Sequence, residues 1–165
     1  MKENKVLFLT QAALIAAIYV VLCVVFAPIS YGEIQVRVAE ALTILPFFTP
    51  AAVPGLFIGC FLSNMIAGNI LMDMVFGSIA TLIGAIGTYC LRGSRFAALL
   101  PPIVSNTLIV PFVLRYGYGV NLPIPFMMLT VGIGEVIAVG VLGSVLLNVL
   151  AKYKGVIFGG RSLAS

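Results

Sequence analysis

Charged residues fall at widely separated points along this chain, and the stretches between them are almost wholly apolar. Residues 6–32, 41–72, 74–91 and 96–114 carry no charge. A helix needs about 20 predominantly apolar residues to cross about 30 Å of hydrocarbon, so each stretch is long enough for a span or close to it. The first predicts a helix over about 6–27, stopped at Pro28 because the residue before a proline disfavours the helical region. It is too long for a signal-peptide core of about 7–15 residues and lacks a small-residue cleavage site, so it reads as a retained helix. In Glu33-Ile34-Gln35-Val36-Arg37-Val38 polar and apolar residues alternate, which suits an extended, half-buried loop.

The run 41–72 would make a helix of about 48 Å, too long for one crossing. It contains Pro46, Pro50 and Pro54. Two helices over about 38–47 and 51–67 with a turn near Phe47-Phe48-Thr49-Pro50 are expected. Further helices are expected over about 73–91, 96–114 and 125–150, with a tail over 151–165. The chain is therefore read as one all-α domain over 1–165, a polytopic integral membrane protein with a six-transmembrane-helix bundle. With the N- and C-termini cytoplasmic, the inner loops carry Lys2, Lys5, Arg92, Arg95, Lys152, Lys154 and Arg161, and the outer loops only Arg37 and Arg115. That asymmetry follows the positive-inside rule. A re-entrant hairpin over 38–67, giving four spans, preserves it as well.

Composition agrees: 62% of the 165 residues are hydrophobic and 8% charged, against about 45–50% and about 25% in soluble domains, and mean hydropathy is +1.22. The net charge of +4 belongs to cytoplasmic loops and anionic headgroups, with no nucleic-acid partner implied. Cys23, Cys60 and Cys90 sit in separate apolar runs and there is no histidine, so no disulfide framework or zinc pattern arises. No metal and no cofactor is expected. No GxxxxGK[ST] loop is present for nucleotide phosphates, and no nucleophile–base pair for catalysis. An enzyme is not expected; a binding or transport protein of the cell membrane is.

A few polar groups at defined depths carry the candidate chemistry. Glu135 lies about ten residues, or about 15 Å, into the last span, where a carboxyl normally faces a cavity or a partner. Asn106 in the fifth span and Asn64 near the outer end of the third offer amide donors and acceptors, either to a ligand or as interhelical glue. Arg37 and Glu40, three apart, share a helix face as a local ion pair or a ligand-facing pair. Asp73 suits the positive end of the fourth helix or a ligand. Tyr31 and Tyr118, in the outer loops, either stack on a planar ligand or anchor at the interface. Ala12, Ala13, Ala16 and Ala17 repeat at four-residue spacing and form a smooth strip on the first helix, and Gly55-x-x-x-Gly59 offers the same internally. Small residues let helices approach closely.

The size, the six expected spans, this alanine strip and the structured first outer loop resemble the substrate-binding S components of energy-coupling factor (ECF) transporters. Within them, Glu33-Ile34-Gln35-Val36-Arg37-Val38-Ala39-Glu40-Ala41-Leu42, then Leu45-Pro46 and Pro54-Gly55-Leu56-Phe57-Ile58-Gly59-Cys60, resemble the QueT family, which is assigned to uptake of queuosine precursors. The resemblance implies a small-molecule ligand of 7-deazaguanine type bound from outside. It also implies docking of Ala12, Ala13, Ala16 and Ala17 to a transmembrane coupling protein that carries two ATPase subunits. It supplies no ligand residues; the substrate-binding set expected from the residues themselves is Glu135, Asn106, Asn64, Glu40, Arg37, Asp73 and Tyr31. The residue chemistry leaves an S component for another vitamin-like ligand, or a small carrier or channel, as alternatives.

Overall fold

The computed structural model describes residues 2–30 and 37–157. Its elements are α1 (Lys2–Val25), a one-turn α2 (Ala27–Ser30), a 3-10 helix (Val38–Phe47), α3 (Ala52–Ile66), α4 (Leu71–Cys90) and α5 (Arg95–Tyr116). The last long helix is continuous but changes pitch: α6 (Ile124–Glu135), a π-helical segment (Val136–Gly143) and α7 (Ser144–Lys152), followed by a single turn, α8 (Lys154–Ile157). Strands are absent among the described residues. Four helices are long and apolar enough to cross a membrane, Lys5–Val25, Leu71–Cys90, Arg95–Tyr116 and Ile124–Lys152. Two more, Val38–Phe47 and Ala52–Ile66, are apolar but short. The expected tail is helical as far as Ile157; its remainder, with Arg161, lies outside the described residues, as does the loop 31–36.

The short pair nonetheless runs most of the way through the bundle. A 3-10 helix rises about 2.0 Å per residue against about 1.5 Å in an α-helix, so ten residues reach about 20 Å. At one end Arg37 meets Asp73 at the start of α4. At the other, Phe48 packs with Ala98, Leu99 and Leu147, and Thr49 donates to the Gln11 side chain in the first half of α1 at 3.0 Å. The turn into α3 is buried at Thr49 and Ala51. Every residue from Ala39 to Pro46 is buried. An apolar helix without a polar face belongs inside a bundle.

Small residues set the close packing. A Cβ at Gly55 would lie 2.7 Å from the Ala12 carbonyl oxygen, and one at Gly59 would lie 2.9 Å from Tyr19 Cβ and 3.1 Å from Ala16 Cα. Glycine at both positions therefore lets α3 lie directly on α1. This corrects the reading of the four alanines as one docking strip. Ala12 and Ala16 are buried against α3, and only Ala13 and Ala17 face outward.

α5 contains Pro101, Pro102 and Pro111. Pro102 has no N–H to donate to the carbonyl of Ala98, four residues back, and Thr88 Oγ1 of α4 donates to that oxygen instead, at 2.8 Å. Gly84 and Gly87 of α4 leave the room that Pro102 and Pro101 occupy. Membrane proline helices depend on such substitutes from neighbours. Thr88→Val keeps the shape and removes the donor. It should cost about 1–3 kcal/mol for the stranded buried carbonyl and lower the melting temperature of the purified protein; an unchanged melt would show that the carbonyl is satisfied otherwise.

Candidate functional site

Glu40 rides on the 3-10 helix and is fully buried. Three donors from three other helices converge on it. Tyr19 Oη of α1 donates to Oε1, Thr81 Oγ1 of α4 lies 3.3 Å from the same oxygen, and Asn106 Nδ2 of α5 donates to Oε2 at 3.2 Å. A carboxyl in an apolar interior needs its acceptor sites filled, and here neutral donors fill them. The expectation of a Glu40–Arg37 pair is corrected: Arg37 pairs instead with Asp73, 3.5 Å away. The 3-10 helix draws Glu40 into the bundle and leaves Arg37 at its mouth.

Glu135, the last residue of α6, is also buried. Asn106 is its hydrogen-bonding neighbour and also donates to Glu40, so one amide lies between two carboxyls from opposite parts of the chain. Oε2 of Glu135 is buried with no hydrogen-bond partner among the described residues. The π-helical segment begins at the next residue, Val136, and packs on the 3-10 helix that holds Glu40. Both carboxyls thus sit where the backbone leaves α-helical pitch, a common position for functional groups.

An outer tier lies at the other end of α4's polar face. Asp73 is 3% exposed; its Oδ2 accepts from Arg37 and, at 3.0 Å, from Tyr118 Oη in the loop after α5. Asp73 stands in the first turn of α4, where a carboxylate suits the positive helix end, as expected. Burial and the Asp73 carboxylate push the Tyr118 phenol up to about 12, so it stays a donor at physiological pH. Asp73 Oδ1 has no partner among the described residues. Asn64 lies between the tiers: its Nδ2 is 3.4 Å from the Asp73 carbonyl oxygen and 3.7 Å from Cys60 Sγ, and its Oδ1 accepts from Asn69 at 2.9 Å. The contact with the Asp73 carbonyl ties α3 to the start of α4.

The structure brings together Glu135, Asn106 and Glu40 in an inner tier and Arg37 and Asp73 in an outer one. Tyr31 lies outside the described residues. Tyr118, expected to stack on a ligand or anchor at the interface, bonds Asp73; Tyr19 and Thr81 were not among the expected site residues. Tyr19 did carry a signal, a lone hydroxyl in the middle of an apolar helix, and Thr81 stands eight residues after Asp73 on the same face. A separate groove of about 590 Å³ between α5 and α6 is lined by Val104, Leu108, Leu129 and Ile133 among others. All four are exposed on the outer surface, as suits lipid.

Residues 9–152 match the QueT transporter family. The chain belongs to that family. A similar protein is the queuosine precursor transporter QueT of Lactococcus lactis subsp. cremoris (strain MG1363), 35% identical over 85 residues, which are 50% of each chain. The matched part thus spans about half of that relative's length. No solved structure matches. Membership in a transporter family, with four membrane-length apolar helices, makes this a multi-pass membrane protein.

Proposed function

We propose that this chain is the substrate-binding S component of an ECF-type importer in the cell membrane, and that it binds a queuosine precursor of 7-deazaguanine type. The relative's name supports the ligand class. The observation that carries the reading is the unpartnered, buried Oε2 of Glu135 beside Asn106 and Glu40. A deazaguanine offers two adjacent donors, its ring N–H and exocyclic amine, along one edge, and a carboxylate accepts both at once. Glu40 already has three donors, so it acts as the fixed post that orients Asn106. Asn106 Nδ2 gives one hydrogen to Glu40; its second, directed to Glu135, is the one that turns to the ring carbonyl when the base takes its place at Glu135. Nothing in this scheme calls for bond making, in keeping with a carrier subunit.

Six spans with both termini cytoplasmic fit the charge asymmetry of the loops. In this arrangement the ligand site lies in the outer half, and energy comes from a coupling protein with two ATPase subunits. Ala13 and Ala17, exposed on α1, are the docking surface for the coupling protein. Purified protein should bind deazaguanines in calorimetry, in preference to a panel of vitamins. Ala13→Leu with Ala17→Leu should leave that binding within about twofold while abolishing uptake by cells, since the bulk holds a partner helix away without reaching the site. Normal uptake in the double variant would sink the docking surface, and binding of a vitamin but no deazaguanine would sink the ligand class.

A further inference from the structure

Arg92, Arg95 and Lys152 meet at one end of the bundle. Arg92 follows α4 by two residues, Arg95 is the first residue of α5, and Lys152 is the last of α7. α4, α5 and the last long helix are apolar and of membrane length, so their ends, and the three cations with them, lie at headgroup level. Arg95 Nη1 donates to Asn148 Oδ1 of α7 at 3.3 Å, which pins the guanidinium over the seam between α5 and the last helix. Lys152 stands four residues after Asn148 on the same helix face, so its Cα lies about 6 Å farther along the axis. The Arg92 guanidinium lies 4.5 Å over the Tyr89 ring. Stacking uses the face of the guanidinium and leaves its N–H edge open.

The two ends of the bundle treat their arginines differently. At the other end Arg37 pairs with Asp73, and Arg115 Nη1 donates to the Val120 carbonyl oxygen at 3.2 Å and to Asn121 Oδ1 at 3.4 Å. At this end no carboxylate pairs with Arg92, Arg95 or Lys152 among the described residues. Their one hydrogen-bond acceptor among those residues is the neutral amide of Asn148. Arg95 and Lys152 are exposed, and beside them Phe96 is 84% exposed and Leu91 and Tyr153 are exposed too. Uncompensated cations next to bare apolar and aromatic side chains match a phospholipid, whose phosphate sits directly above its acyl chains.

We propose that this seam binds an anionic phospholipid. Arg95 and Lys152 clasp its phosphate, Arg92 adds its open N–H edge, and the acyl chains run past Phe96. A zwitterionic headgroup brings a cation of its own to the same place, so the site selects lipids of net negative charge. The lipid is held whatever solute is carried, so the inference does not depend on the ligand reading above.

The test is native mass spectrometry of the full chain from micelles holding equal amounts of phosphatidylglycerol and phosphatidylcholine with the same acyl chains. The wild-type protein should retain phosphatidylglycerol at least tenfold over phosphatidylcholine, each basic residue near an anionic surface being worth on the order of fivefold. The triple variant Arg92→Gln, Arg95→Gln, Lys152→Gln should bring the ratio to within about threefold, with its melt in lipid-free detergent unchanged. If the triple variant does not fold, Lys152→Gln alone, which removes no hydrogen bond among the described residues, should lower the ratio about fivefold. Arg115→Gln, at the other end, should keep it. Equal retention of the two lipids by the wild-type protein would overturn the site and leave this face to a protein partner. A triple variant with the wild-type ratio, or an Arg115→Gln variant that loses it as fully, would place the preference elsewhere and overturn the site as well.

Discussion

Glu40→Leu should cost about 3–5 kcal/mol and lower the melting temperature by roughly 6–20 °C, at about 2–4 °C per kcal/mol. The side chain keeps its bulk but no longer accepts from Tyr19, Thr81 and Asn106, which come from three different helices. Tyr19 and Asn106 lose their acceptor, at about 1–3 kcal/mol for each stranded buried donor, while Thr81 keeps the Gly77 carbonyl oxygen at 3.2 Å; the apolar gain of leucine offsets part of the cost. Glu40→Gln should be milder. Its oxygen still serves Tyr19 and Thr81, while its amide meets the Asn106 amide donor to donor unless one of them turns over. A thermal melt of the detergent-solubilised protein decides the matter: a Glu40→Leu melt within two degrees of wild type would mean that the three donors find other acceptors.

Glu135→Gln should have the opposite profile. Its Oε2 has no hydrogen bond among the described residues, so there is little fold stabilisation to lose, and the melt should be unchanged or slightly higher. Ligand affinity should fall roughly ten- to a few-hundred-fold. A charge-assisted hydrogen bond is worth about 1.5–3 kcal/mol, each 1.4 kcal/mol is about tenfold, and the new amide presents a donor to the ligand's own donors. Glu135→Asp should also lose affinity, because the shorter arm misplaces both acceptors. Calorimetry returning wild-type affinity for Glu135→Gln would take Glu135 out of the site. The two variants together separate holding the bundle from holding the solute.

The helices were legible because charge spacing and proline positions are local signals. The pairing of carboxyls was only partly so. Glu135 and Asn106 could be read from depth alone, since a carboxyl or amide mid-span must meet something. Glu40 was misplaced at the outer mouth because spacing from Arg37 describes one helix face and says nothing of partners 41 or 66 residues away. The longer rise of the 3-10 helix, which moves Glu40 inward, has no composition signature beyond Pro46. Four-residue spacing likewise could not tell Ala12 and Ala16 from Ala13 and Ala17. Matching the repeat to Gly55 and Gly59 on α3 could have done so.

The enclosed 3-10 helix also bears on how the chain enters its membrane. Residues 38–47 emerge from the ribosome carrying a glutamate, and of its three donors only Tyr19 has by then been made. Thr81 and Asn106 follow 41 and 66 residues later, and the π-helical segment that packs on the 3-10 helix follows later still. An acidic segment that short gains little from lipid on its own. Its burial must therefore wait for α4, α5 and the last long helix, so the element that leads them in sequence is among the last to be seated.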